Sequence, residues 1–261
     1  MRLIPVPELY KHRDLLVAWT MRIIRARYQQ SVLGGFWAIL QPLATVAIFS
    51  VIFSYFIPVD TGAIPYPIFS YTAMVPWLLF STSLADMVES VVTNMNIVGK
   101  IFFPREILVI SALLARVLDF LIAYALLIVL MLVYGLPVFQ LTWLYLPVIL
   151  IVQLSLALGL GLIGAALNVF YRDIRHLIAL VIQLWFYATP IIYPVTVVPE
   201  RFRPFYFLNP MAGVIEGYRS VMLNGTRPES SFTLSAIVAF AILLLGYWFF
   251  KRVEFKFADV I

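Results

Sequence analysis

Charged side chains are absent from the sequence after Arg27 until Asp60 and again until Asp86, and long apolar runs recur along the rest of the chain. A hydrophobic run of about 20 residues crosses the hydrocarbon core of a bilayer as a helix. The charge-poor windows predict six such helices, at about 33–57, 69–92, 107–134, 143–170, 177–193 and 234–250. The window 120–171 carries no charge and is too long for one helix; Gly135-Leu136-Pro137 breaks it, as a turn at the membrane surface would. Before the first window the pattern changes. On a 3.6-residue helix Leu9, Leu16, Trp19 and Ile23 fall on one side and Lys11, Asp14, Arg22 and Arg25 on the other, which predicts an amphipathic helix lying along a leaflet. Arg27 breaks that alternation where the chain turns into the bilayer. The expected fold is an all-α integral membrane protein, with residues 1–30 forming the interfacial helix and 31–261 a single six-span domain.

Composition agrees with this pattern. Hydrophobic residues make up 63% and charged residues 12%, and the mean hydropathy of +1.00 exceeds what a soluble fold of this size could cover. The net charge of +5 does not indicate nucleic acid, because Lys and Arg sit in short clusters between apolar runs. Residues 1–30 are too polar for a secretory signal. Without cysteine, disulfides, thiolate chemistry and Cys-ligated metals are excluded.

Six spans put both termini on one side, and both are basic, with Lys11, Arg13, Arg22, Arg25 and Arg27 at the start and Lys251, Arg252 and Lys256 at the end. The loops near 94–106 and 171–176 carry Lys100, Arg105, Arg172 and Arg175, whereas those near 58–68 and 135–142 carry no Lys or Arg. The positive-inside rule then makes both termini cytoplasmic. Segment 194–233 dissents, with Arg201, Arg203, Arg219 and Arg227, but longer loops follow the rule poorly.

Four blocks carry a family resemblance. Tyr28-Gln29-Gln30-Ser31-Val32-Leu33-Gly34, followed by Trp37 and Gln41-Pro42, resembles the membrane subunit of ABC-2 type polysaccharide exporters, those that move O antigen or teichoic acid. Lys100-Ile101-Phe102-Phe103-Pro104-Arg105-Glu106-Ile107-Leu108 is similar to the family's first cytoplasmic loop, and Asn168-Val169-Phe170-Tyr171-Arg172-Asp173-Ile174-Arg175-His176 to its second. Leu208-Asn209-Pro210-Met211 with Glu216 and Arg219 is similar to the outer segment before the last span. The blocks occur in order from about Tyr10 to Phe250 and are specific for the permease family, less so for its cargo. The resemblance implies a homodimer with two separate nucleotide-binding subunits in a bacterial inner membrane, and a lipid-linked polysaccharide as substrate. No G-x-x-x-x-G-K-[ST] phosphate loop is present, so ATP is expected to bind the partner subunit and this chain to need no cofactor and to be no enzyme.

Candidate residues follow from chemistry at each level of the membrane. In 91–103, Asn94, Asn96, Gly99 and Lys100 interrupt an apolar surface that Pro104 ends, and Arg105 follows; with Arg172 and Arg175 they are candidates for coupling to the ATPase, the plainer reading being inner loops with topology-setting charges. His176 has no neighbouring histidine or carboxylate pair to complete a metal site. Asp86 and Glu89 near the inner end of span two, and Arg116 and Asp119 in span three, are functional candidates because ionisable groups in a bilayer are costly. Pairing of Arg116 with Asp119, and of Glu89 with Arg116, is the structural alternative to a hydrated or gating role. Phe49, Phe53 and Phe56 fall at i, i+4 and i+7 on span one, and Trp185, Phe186, Tyr187 and Tyr193 lie on span five. Such rings suit a sugar path, since pyranose C–H faces pack on aromatic rings; Phe49, Phe53, Phe56, Trp185, Tyr187 and Tyr193 are the channel-lining candidates, and lipid-facing or core packing is the alternative.

Ala157, Gly161 and Ala165 in span four predict close helix packing, within the chain or across a dimer. Pro190, Pro194 and Pro199 interrupt the chain after span five, and Asn209-Pro210 reads as a cap starting a helix that Asn224-Gly225 ends. Its length and apolar character predict a re-entrant outer segment, with the pair Glu216 and Arg219 as a candidate outer gate. Arg25 and Arg27 are candidates for lipid headgroups or a substrate pyrophosphate. Two other functions compete with glycan export: an ABC-2 exporter of a drug or lipid, and a membrane-embedded glycan transferase, the latter opposed by the lack of paired carboxylates at catalytic spacing.

Overall fold

The structure is a computed structural model that describes residues 10–29, 36–100 and 103–260. Leu9, the Gln30–Gly34 part of the first resembling block, the start of the first expected span and Ile101-Phe102 of the second block lie outside the described residues. Among the described residues there are helices and no strand.

Helix α1 (Arg13–Tyr28) opens the described chain, with Asp14 in its first turn and Arg25 and Arg27 in its last, where each charge opposes the local end of the helix dipole. Its partly buried positions are Leu15, Leu16, Trp19, Thr20, Ile23, Ile24, Arg27 and Tyr28, an unbroken stripe at i, i+3 and i+4. Arg27 therefore continues the inward face rather than ending it, for a reason given by its partners below. The stripe lies against α5 (Glu106–Val133), and Trp19 stacks on Phe103 with ring centroids 6.4 Å apart.

Helix α2 (Trp37–Val51) runs into one π-helical turn, Ile52–Phe56, marked by an Ile57 amide bond to the Ile52 carbonyl. Helix α3 (Tyr66–Ser90) is the hub, buried along most of its length by α2, α5, α6 (Leu146–Phe170) and the later helices. Its largely apolar circumference suits that position, and several of its hydroxyls bond back to the helix, as in Thr72 to the Ile68 carbonyl at 2.8 Å and Thr82 to Leu78 at 2.7 Å. Two buried amides of α6 reach across to it: Gln153 donates to the Pro76 carbonyl at 2.8 Å and Asn168 to that of Val88 at 3.0 Å.

After the short helix α4 (Met95–Val98), α5 and α6 are joined through Gly135 at a φ of 69° and a short 3-10 turn, Leu141–Tyr145. Helix α7 (Ile174–Tyr187) is apolar but has 14 residues, about 21 Å of rise. The expected fifth span to residue 193 is therefore shortened. Its helix ends at Tyr187 because Pro190 and Pro194 follow, and neither can donate the amide that would continue it. Among the described residues five helices are long and apolar enough to cross a membrane, Trp37–Phe56, Tyr66–Ser90, Glu106–Val133, Leu141–Phe170 and Ser230–Phe257, and α7 is a shorter apolar helix.

Between α7 and the last span, α8 (Arg203–Tyr206) leads to α9 (Pro210–Met222), which is buried throughout except at Glu216. It packs on α3, α6 and α10 (Ser230–Val253). This buried helix stands where the sequence predicts a re-entrant segment. The densest crossing joins α6 to α10. There a Cβ on Gly159 would lie 2.7 Å from the Ile242 backbone, and one on Gly246 would strike the Gly159 carbonyl, so two glycines let the backbones touch. The neighbouring Gly161 faces Met87 of α3; the small residues of α6 serve packing within the chain.

Candidate functional site

Charged side chains of α1, α3 and α5 come together in the half of the bundle that holds the end of α3 and the start of α5. Arg27 of α1 donates through Nη2 to Asp86 of α3 at 2.9 Å and through Nη1 to Asp119 of α5 at 2.8 Å. Arg116 of α5 clamps Asp86 with Nε to Oδ2 at 2.6 Å and Nη2 to Oδ1 at 3.0 Å, and reaches Asp119 at 3.2 Å. Two arginines and two aspartates alternate in a neutral ring that ties three helices together. Tyr28 donates its hydroxyl to Asp119, and its phenol is pushed up to about 12 by burial and then by that carboxylate, so it stays protonated as a donor.

Of the four intramembrane charges expected to matter, Asp86, Arg116 and Asp119 are thus brought together and Glu89 is not. Glu89 follows Asp86 by three residues, about 4.5 Å further along the helix axis, and lies exposed beside Arg172 and Arg175 in a depression lined also by Asn168 and Thr93. Asp86 takes the Arg116 contact expected of it. Arg25 and Arg27, grouped by sequence, point apart: Arg27 is spent on two carboxylates, while Arg25 lines an open surface hollow with Arg22 and Gln29.

The loops at this end carry the coupling candidates. Asn96 and Lys100 are exposed, as are Arg172 and Arg175, whereas Asn94 turns back to donate to the Ser90 carbonyl at 2.8 Å. Arg105 is drawn inward, its guanidinium 5.6 Å from the centroid of Phe257. Beside it is a cluster that the sequence reading missed. Glu106, with 0% exposure, takes Lys251 of α10 at 2.8 Å, and Lys251 also bonds Glu254 at 3.0 Å. Lys251 reads in sequence as a topology signal, and only the fold shows its carboxylate partners.

Midway along the bundle the aromatics form a file. Phe53 meets Phe49 at 6.1 Å, Phe49 stacks on Phe186 at 6.1 Å, Phe186 meets Trp77 at 5.8 Å, Trp77 meets Phe80 at 5.6 Å, and Phe80 meets Trp185 at 5.3 Å. Phe49, Phe53 and Trp185 therefore lie between α2, α3 and α7, together with Trp77 and Phe80, which sequence did not single out. Phe56 departs from its expected face. The π turn widens the helix to five-residue bonding, so the i+7 position slips out of phase and Phe56 is 74% exposed. Tyr187 is also exposed, and its carbonyl accepts the Tyr193 hydroxyl at 3.0 Å.

At the opposite end α9 is locked in place. Asn209 caps it, with Oδ1 accepting the Met211 amide at 3.0 Å and the Trp185 indole N–H at 2.8 Å, while Nδ2 donates to the Ala188 carbonyl at 3.1 Å and to Thr189 at 3.0 Å. The gate candidates pair at the expected spacing, Arg219 Nη1 to Glu216 at 2.8 Å. Arg219 is 3% exposed, donates through Nη2 to the Ile191 carbonyl at 2.9 Å and lies 3.6 Å over the Phe69 ring. Among the described residues no group of His, Cys, Asp or Glu side chains is arranged to hold a metal.

The sequence has counterparts of known type. The family model for ABC-2 type transporters matches residues 14–223. An O-antigen export system permease protein RfbA of Klebsiella pneumoniae is 32% identical over 250 residues, 95% of each chain, and its namesake of Myxococcus xanthus is 32% identical over 92% of each. The polysialic acid transport protein KpsM of Escherichia coli is 26% identical over 90% of this chain and 91% of its own. On a match that spans most of its length, this multi-pass membrane protein belongs to the ABC-2 type transporter family.

Proposed function

We propose that the chain is the permease subunit of an ATP-driven transporter that exports a lipid-linked polysaccharide, O antigen or a similar glycan, across the bacterial inner membrane. Two copies form the translocation path, and two copies of a separate nucleotide-binding subunit bind and hydrolyse ATP; the permease is no enzyme. The observation that carries this reading is the near full-length likeness to O-antigen export permeases. The geometry supports it. Exposed Lys100, Arg172 and Arg175 share one end with both described chain ends, as a cytoplasmic docking face requires. Both termini are then cytoplasmic.

In this scheme ATPase closure presses on 94–106 and 171–176. Glu106 and its Lys251 partner carry the load to α5 and α10, and the ion ring carries it to α1 and α3. The path opens past α2 and α7, whose rings give a polymer weak, repeated contacts. The test is export in a strain lacking its own permease: surface glycan appears with this chain and a cognate ATPase together, and with neither alone. Turnover of a lipid-linked sugar by the purified chain without an ATPase would overturn the reading.

A further inference from the structure

At the end away from the ion ring, a cavity of about 570 Å³ lies between the turn at 60–64, the first turn of α3, the 194–207 segment and the second half of α9. Its size falls in the range of small-molecule sites, about 300–1,000 Å³. Three carboxylates, Asp60, Glu216 and Glu229, and two guanidiniums, Arg203 and Arg219, line it. Five charged side chains bar a hydrocarbon chain. The excess of acids disfavours a phosphate, and no trio of carboxylates is close enough for a metal among the described residues.

A neutral, polyhydroxylated ring fits what remains. Each sugar hydroxyl both donates and accepts, so it satisfies a carboxylate and a guanidinium lying side by side, and its C–H face packs on a phenyl ring such as Phe207, which lines the cavity. The wall is rigid. Arg219 is fixed by Glu216, the Ile191 carbonyl and the Phe69 ring, and its Nε has no protein partner. Glu216 spends Oε1 on Arg219 and is part-exposed toward the cavity, which leaves its second oxygen to accept from a ligand.

We propose that this cavity is a saccharide-binding subsite, one in each protomer, that holds a neutral sugar residue of the glycan; it rests on the export reading above. A hold at this end would keep a partly exported chain from slipping back between ATPase strokes.

The experiment is saturation-transfer NMR on the purified full chain in lipid nanodiscs, with neutral malto-, manno- and galacto-oligosaccharides as probes and inorganic pyrophosphate as competitor. Transfer is expected for at least one oligosaccharide, falling roughly tenfold in Thr196→Trp, which fills the cavity from an exposed turn, and in Glu216→Gln. Should Glu216→Gln fail to fold, Thr196→Trp decides. No transfer to the wild-type chain, transfer undiminished in Thr196→Trp, or displacement by pyrophosphate would each overturn the subsite. Glycan export is scored separately in cells, so that export without sugar binding removes the subsite and leaves the export reading standing.

Discussion

Arg27 and Asp119 stand 92 positions apart in the sequence and meet at 2.8 Å, the last turn of α1 closing on the middle of α5. Asp119 is 18% exposed, and it is satisfied from both sides, by Arg27 and by Arg116. An ionised group left unpaired there would be expensive.

Removing Arg27 therefore strands half of the charge of two aspartates. Arg27→Gln should lower the stability of the detergent-solubilised chain by about 2 kcal/mol, less than for a fully buried pair because the ring is partly solvated. Arg27→Gln with Asp119→Asn should cost less than the sum of the single changes. Thermal unfolding followed by tryptophan fluorescence measures both, and strict additivity would show that the contact carries no coupling.

At the α6–α10 crossing, Gly159→Leu places a side chain where the Ile242 backbone already lies. The backbones must separate, and folded protein should fall steeply, whereas Gly62→Ala, whose Cβ meets nothing within 4 Å but which sits at a φ of 67°, should cost about 1 kcal/mol. Monodispersity in gel filtration distinguishes the two.

Asn209→Ala removes an N-cap and releases the Trp185 indole together with Thr189. The expected loss is about 1–2 kcal/mol, and the emission of Trp185 should depart from that of the wild type as its indole N–H loses its acceptor. Asn209→Asp keeps the cap and the indole acceptor but cannot donate to Ala188 or Thr189, so it should retain the Trp185 emission and lose part of the stability.

Lys100→Glu and Arg172→Glu change exposed side chains and should leave the melting temperature unchanged. If these loops receive the ATPase, each should cut glycan export several-fold and reduce recovery of the ATPase in pull-downs. Wild-type export from both would remove them from the docking face.

Arg219→Ala takes the cation from Glu216 and the donor from the Ile191 carbonyl. As an outer gate the pair should hold small solutes back, so Glu216→Ala and Arg219→Ala, assembled with the ATPase, should raise passive leak into proteoliposomes without ATP. Leak equal to the wild type in both would sink the gate.

Most of the architecture was legible because the bilayer is a strict reader of sequence. Charge-free windows located the five long apolar helices, Asn209-Pro210 located the start of α9, and the three-residue spacing located the Glu216–Arg219 pair. What escaped depended on distance in the chain. Periodicity placed Arg27 outside the apolar stripe of α1, since no window of sequence contains both it and its partners Asp86 and Asp119. Glu89 was the residue expected to reach Arg116, and depth along the helix gives that contact to Asp86 instead. Lys251 with Glu106, joined over 145 positions, left no local signal. The span-five helix was overdrawn because hydropathy continues through residues 188–193 where backbone geometry does not.

The π turn at Ile52–Phe56 works like a dropped thread on a screw. It lets one continuous rod address two audiences: Phe49 and Phe53 inward toward α3 and α7, and Tyr55 and Phe56 outward. Removing Ser54 should restore regular winding, swing the 57–65 connection around the rod, and set every contact of the outer turn against its neighbours. The reading frame of the helix, as much as its composition, would then decide which rings a passing chain can touch.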